Sequence, residues 1–444
     1  MNELVRERFS SSLDPITIRE RITVRPAPVS SLTEYQPLIG AAVLAKSLSE
    51  IFLPNQFSIQ LIEEMVGRAK LHFEAIFASE VEYVSRIYTP PEADVYPICL
   101  TGLAGIGKSR TIAALRKVMP EPVEFYSSHY DGCITLASHW YASAREKVSG
   151  KSLLIDYLFG KSKPPSGSQE KFLLEARRQA NRDGVSLALL DETQFFNMGI
   201  GTAKITEIIL TMASIGPPSL YVGNYSLVHR LLGRNSEDKQ RLLSQPRIML
   251  PDPPDSNDWS NYMKECVRVS NGCIRPGTGD FAGDLYRYTF GIKRLAVQLL
   301  SQAYIECRNG GRNWIEQADL AHAYRSAAYT SNAKDVEDLH TDSLGSGQSS
   351  IRLDLKCPFD LPAAYRSNVV KFAKDERHQR MIARVFDSAL TKAERTAQQK
   401  IEVPSASAPR KSPRKPVVEK LSDQETSKAF FEYIDFAGKP KKPV

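Results

Sequence analysis

The sequence lacks any paired-cysteine spacing. Its six cysteines, Cys99, Cys133, Cys266, Cys273, Cys307 and Cys357, include no C-x-x-C pair, which excludes a zinc module and leaves the expectation of buried thiols in a reducing compartment. Long hydrophobic runs are also missing. A membrane-spanning helix needs about eighteen or more apolar residues in a row, and the charged start at residues 2–8 has no signal-peptide core. A soluble, cytoplasmic protein with no membrane partner is expected. The seven histidines form no H-E-x-x-H pattern and no Ser or Cys stands in a nucleophile motif, so metal-dependent hydrolysis and covalent catalysis have no support. No internal repeat occurs at a regular period.

A chain of 444 residues with 42% hydrophobic content is globular and too long for one ordinary core. Its net charge of +7 permits a polyanionic partner without identifying one. The chain divides by pattern. Residues 1–35 are polar, and Pro15, Pro26 and Pro28 interrupt short β-like runs, so an extended arm is predicted. Residues 36–94 read as a helical prelude, because Ile59, Ile62, Met65, Val66, Ala69, Phe73 and Ile76 recur at helical spacing. Over 95–254, short apolar runs at 95–101, 123–126, 185–190 and 219–223 alternate with helical stretches at 108–119, 134–147, 169–180 and 204–215. That alternation predicts an α/β core with a parallel sheet covered on both faces. Residues 255–333 turn wholly helical and suit a small lid. Residues 334–402 form an extension whose stretch 375–400 reads as a charged helix. In 403–444 a basic, proline-containing linker predicted to be disordered leads to the aromatic segment 429–436, read as a docking peptide.

The chemistry sits between the first core strand and its helix. Gly102, Leu103, Ala104, Gly105, Ile106, Gly107, Lys108 and Ser109 fit G-x-x-x-x-G-K-[ST], in which glycines turn backbone N–H groups toward phosphate and the helix N-terminus adds positive charge. Lys108 is expected to reach the β- and γ-phosphates, Ser109 to ligate Mg²⁺, and Arg110 to border the nucleotide. A second apolar strand ends in Asp191 and Glu192, a pair suited to hold Mg²⁺ and to activate water. Asn224 closes a third strand, as a sensor or a turn residue. Arg230, Arg234, Arg241 and Arg247 are candidate arginine fingers, with Arg241 preferred because it precedes the strand at 247–250 by about one helical turn.

Taken together, this order of motifs resembles the AAA+ ATPases of the TnsC/TniB group, with MuB and IstB as more distant relatives. The resemblance covers about residues 36–330. Its more specific parts are Tyr130-Asp131-Gly132, the run Leu189 through Phe196, and the run Ala213 through Asn224. The chain departs from the pattern in having Ala213-Ser214 where Asn is common, and in its long C-terminal extension. The resemblance implies an AAA+ P-loop NTPase fold with a lid, ATP and Mg²⁺ as cofactors, and Arg294 after Gly291-Ile292-Lys293 as the lid's basic sensor. It further implies assembly of the protein with itself as a ring or filament on duplex DNA. Its partners would be a target-selector protein and transposase subunits, and His129, Lys147 and Lys151 would face DNA. A replication-initiator or helicase-loader ATPase is the alternative.

Overall fold

In this computed structural model the described residues are 3–375, apart from 92–95, 128–129, 131, 147–148, 161, 198–200, 345–351, 362–364, 366–367 and 373. His129, Lys147, Asp131 and the expectations for 376–444 lie outside that set. The elements in chain order begin with α1 (Glu3–Glu7), α2 (Pro15–Ile22), α3 (Pro37–Glu50), α4 (Gln56–Ile76) and α5 (Glu80–Tyr88). The core follows as β1 (Ile98–Gly102), α6 (Lys108–Val118), β2 (Val123–Tyr126), β3 (Cys133–Leu136), β4 (Trp140–Ser143), α7 (Gly150–Phe159), α8 (Gln169–Arg182) and β5 (Ala188–Asp191). It closes with α9 (Thr202–Ala213), β6 (Ser219–Asn224), α10 (Tyr225–Leu232), α11 (Ser236–Leu243) and β7 (Pro246–Met249). The lid is α12 (Asn257–Val269), α13 (Phe281–Thr289), α14 (Lys293–Asn309) and α15 (Gln317–Tyr324), and α16 (Thr330–Ser343) comes after it.

Five strands form one sheet in the order β4-β5-β6-β1-β7, with every neighbouring pair parallel. Alternate residues of a strand face opposite sides. Leu100 in β1, Leu189 in β5 and Leu220 and Val222 in β6 join the helices before the sheet, chiefly α4 and α6. Cys99, Leu190 and Tyr221 point the other way, among α7 to α11. Burial on both faces explains why these strands read as continuous apolar runs. Pro246 begins the edge strand β7, where a residue without an N–H is tolerated. This is an α/β core, a parallel sheet with helices on both faces, followed by a helical domain, the lid.

Three expectations are corrected. Residues 1–35 carry helices where an extended arm was predicted. Asp14 caps α2 by accepting the Thr17 N–H at 2.8 Å, Pro15 takes the first helical turn, and Ile18 and Ile22, one helical turn apart, are buried in the core with Phe9. The predicted helix at 134–147 is instead β3 and β4. Ile134 and Leu136 are buried while Cys133 and Thr135 are exposed, a period of two that pairs β3 antiparallel with β2 outside the main sheet; Gly132, at φ 111°, sits just before β3. Thus β4, and not residues 123–126, is the sheet neighbour of β5. Of the thiols expected to be buried, Cys133 is exposed and Cys357 only half-buried, and none of the six forms a disulfide.

The helices of the prelude attach to different bodies. Ala41, Leu44 and Leu48 of α3 pack into the lid cluster with Leu299, Leu300 and Ala303 of α14, whereas α4 packs on the sheet. The short link 51–55 between them therefore runs past the junction of core and lid.

Candidate nucleotide site

The loop between β1 and α6 bends at Gly105 (φ 82°) and Gly107 (φ 121°), a backbone that L side chains resist. A Cβ on Gly105 would also lie 2.8 Å from the Arg294 Cβ. Glycine thus lets α14 of the lid approach the loop, where the Arg294 N–H donates to the Gly105 carbonyl at 3.2 Å. Lys108 Nζ donates to the Gly102 and Leu103 carbonyls, both at 2.8 Å. Burial pushes its pKa down to about 8, and the Arg294 guanidinium acts in the same direction.

β5 carries Asp191 to the same place. Its carboxylate, only 3% exposed, accepts from Ser109 Oγ at 3.3 Å and from the Glu192 N–H at 2.7 Å. Burial raises the Asp191 pKa, and those two hydrogen bonds oppose the rise. Glu192 has φ 56°, a left-handed conformation costing of order 1 kcal/mol for a non-glycine residue. Its Oε2 accepts from the Ser143 hydroxyl at 3.1 Å, across the β4-β5 pair in which Ser143 faces Asp191. Asn224 ends β6 and caps α10, with Oδ1 accepting from the Leu227 N–H at 3.2 Å and the Ser226 hydroxyl at 2.9 Å. The turn reading of Asn224 and its placement at the site are both true.

Asp191 stands behind Ser109, while a cleft of about 350 Å³ is lined by residues 104–110 of the loop, by Glu192 and Asn224, and by Lys293, Arg294 and Val297 of the lid. Its size is within the range of sites for small ligands. The residues fit a nucleoside triphosphate with Mg²⁺: half-buried Lys108 and exposed Arg294 bring two cations to the glycine loop, and Ser109 and Asp191 offer adjacent hard oxygens. Among the described residues no group of three or more His, Cys, Asp or Glu could hold a metal ion, and Mg²⁺ held largely by phosphate and water needs none.

No family model matches this chain. No curated protein sequence matches it either. Solved structures do: the Orc1 protein of Aeropyrum pernix in complex with DNA shares 14% identity over 62% of this chain and 68% of that one, with a TM-score of 0.37. The Cdc6 protein of Pyrobaculum aerophilum shares 14% over 68% and 79%, at 0.36, and the RuvB Holliday junction branch migration motor of Thermotoga maritima shares 12% over 63% and 74%, at 0.32. Likenesses this distant carry no argument about function. The assignment of the fold rests on the strand order and the loop.

Some expected residues stand elsewhere. Gly102 and Leu103 give Lys108 their carbonyls, but the Leu103 side chain points away into a cluster with Tyr225, Phe290 and Val336. Arg110 borders the cleft while its guanidinium donates to the carbonyls of Ser49 and Glu50. Lys293, the alternative to Arg294, pairs with Asp252 at 3.1 Å. Among the finger candidates, Arg247 is tied to Glu64 at 2.6 Å and Arg234 to Asp238 at 2.8 Å. Arg241, in the last turn of α11, pairs with the exposed Glu237 at 3.1 Å, a surface pair worth little. It does not line this chain's own cleft. Lys151 lies near the start of α7, over the Phe172 ring.

Sequence reasoning missed one wall of the cleft. Leu48, Ile51, Phe52 and Leu53 from the α3-α4 link and Tyr262 from α12 line it, and they supply the apolar surface a purine base would need. The apolar run Ile51-Phe52-Leu53 between two helices was the available signal. Ser143 was also missed, because its strand was read as helix.

Proposed function

We propose that this protein is an ATP-hydrolysing AAA+ regulator of the TnsC/TniB kind, which assembles on duplex DNA and recruits a transposase. The observation that carries the ATPase part is the convergence of Lys108, Ser109, Glu192, Asn224 and Arg294 on one cleft between core and lid, with Asp191 hydrogen-bonded to Ser109 behind its wall. When bound, ATP would supply the phosphoanhydride to be split, and Mg²⁺ the charge that offsets its phosphates. Lys108 leaves the two carbonyls that it now holds and neutralises phosphate charge. Ser109 and Asp191 hold the metal, and Arg294 adds a cation from the lid side. Glu192 takes the proton of the attacking water, and the Ser143 hydroxyl, hydrogen-bonded to Oε2, restrains the carboxylate. Asn224 orients that water through its amide.

The DNA and transposase part rests on the sequence resemblance, with the tail 403–444 as the tether for the transposase. Electron microscopy with ATP and duplex DNA tests it: rings or filaments around DNA support the reading, and monomers contradict it. Deleting 403–444 is expected to leave ATP turnover and DNA loading near normal and to abolish capture of the transposase in a pull-down.

A further inference from the structure

A second polar cavity lies at the far end of α6. Lys108 begins that helix at the nucleotide cleft and Lys117 stands in its last turn, so the two ends are roughly 16 Å apart at about 1.5 Å per residue. The cavity, about 460 Å³, is lined by Arg8, Ser11, Ser12 and Arg21 from the N-terminal segment and by Lys117 and Glu121. Three cations thus face one carboxylate.

The walls are built. Ser12 Oγ donates to the Val118 carbonyl at 2.7 Å and pins the N-terminal segment to the end of α6. Arg8 rests over the Phe73 ring at 5.7 Å, and its Nη2 donates to the Leu136 carbonyl at 3.0 Å. Its Nε is buried with no hydrogen-bond partner. Burial lowers the Arg8 pKa. A partly desolvated guanidinium is costly, and a bound anion would offset that cost. Arg21 Nη2 donates to Ser11 Oγ at 3.3 Å, which orients that guanidinium and leaves the Ser11 hydroxyl proton free to donate. Two guanidinium forks, an ammonium and a hydroxyl around one space match the several acceptor oxygens of phosphate.

We propose that this cavity is a phosphate-binding site separate from the nucleotide cleft, taking either a backbone phosphate of nucleic acid or a free phosphoanion. Arg21 and Lys117 are exposed, so replacing both leaves the buried core intact. The test titrates pyrophosphate, without Mg²⁺, into full-length Lys108→Ala protein by calorimetry. Saturable binding is expected; adding Arg21→Ala and Lys117→Ala weakens it at least tenfold, while Glu121→Gln tightens it. Absence of binding, or an affinity indifferent to the double substitution, overturns the proposal. A second arm identifies the source. If duplex DNA supplies the phosphate, the double substitution in the otherwise unaltered protein reduces the slope of log affinity against log salt by about 1–2. An unchanged slope beside the lost pyrophosphate binding assigns a free phosphoanion.

Discussion

Lys108 couples the cleft to pH. Its pKa falls from the ordinary 10.5 to about 8, so between those values the unfolded chain binds a proton that the folded protein does not. The group therefore costs stability in full below about pH 8, and the cost is relieved as pH rises toward 10.5. A triphosphate beside the ammonium reverses the shift. Nucleotide binding at pH 9 is accordingly expected to take up a proton and to weaken as pH rises further, read by calorimetry in buffers of different ionisation enthalpy; binding with no proton uptake would contradict this. Ser143 offers a second residue-scale prediction. Its hydroxyl holds Glu192 at 3.1 Å, a hydrogen bond to a charged group worth up to about 2 kcal/mol. Ser143→Ala should raise basal phosphate release by up to about thirtyfold with nucleotide affinity unchanged, and an unaltered rate would mean that this contact does not restrain Glu192.

At the scale of elements, the lid is fastened through α3. Gly40 of α3 faces Tyr304 of α14, and a Cβ there would lie 2.6 Å from the Tyr304 hydroxyl oxygen. That hydroxyl is itself engaged with the Leu32 carbonyl at 2.7 Å. Gly40→Ala should destabilise the protein by about 1–3 kcal/mol, the range for overpacking a close contact, as measured by urea unfolding. A variant as stable as the parent would show that the two helices slide apart freely. The elements also show where sequence was legible. Strands buried on both faces and ending in Gly102 or Asp191 announce themselves by composition. The β2-β3 hairpin and β4 do not, because each strand has only four residues, too short for period two to be told from a helical stripe. Asp14-Pro15 is a helix start in plain sight. It was hidden by the β-branched residues Ile16, Thr17 and Ile18 that follow, whose weak helix propensity is overridden by burying Ile18 and Ile22.

For the whole molecule, the motif residues of the cleft were legible because phosphate chemistry restricts residue type and spacing. The apolar wall at Leu48, Phe52 and Tyr262 was not, since any apolar residue serves and the three come from separate elements. An active site shared between subunits predicts a role for Arg241, which does not line its own cleft and, among the described residues, is paired with the exposed Glu237. Arg241→Ala should bind nucleotide normally and lose assembly-dependent turnover by on the order of 10³-fold. A mixture with Lys108→Ala should then recover part of the activity; no recovery at any ratio would exclude Arg241 as that group. Everything proposed for the assembly depends on this cleft binding ATP and hydrolysing it through Glu192. Nucleotide affinity and turnover, compared between Lys108→Ala and Glu192→Gln, probe that directly. Lys108→Ala is expected to lose binding, whereas Glu192→Gln binds ATP as tightly as the unaltered protein and hardly turns it over. Equal nucleotide affinity in both variants, or undiminished turnover in Glu192→Gln, would contradict it.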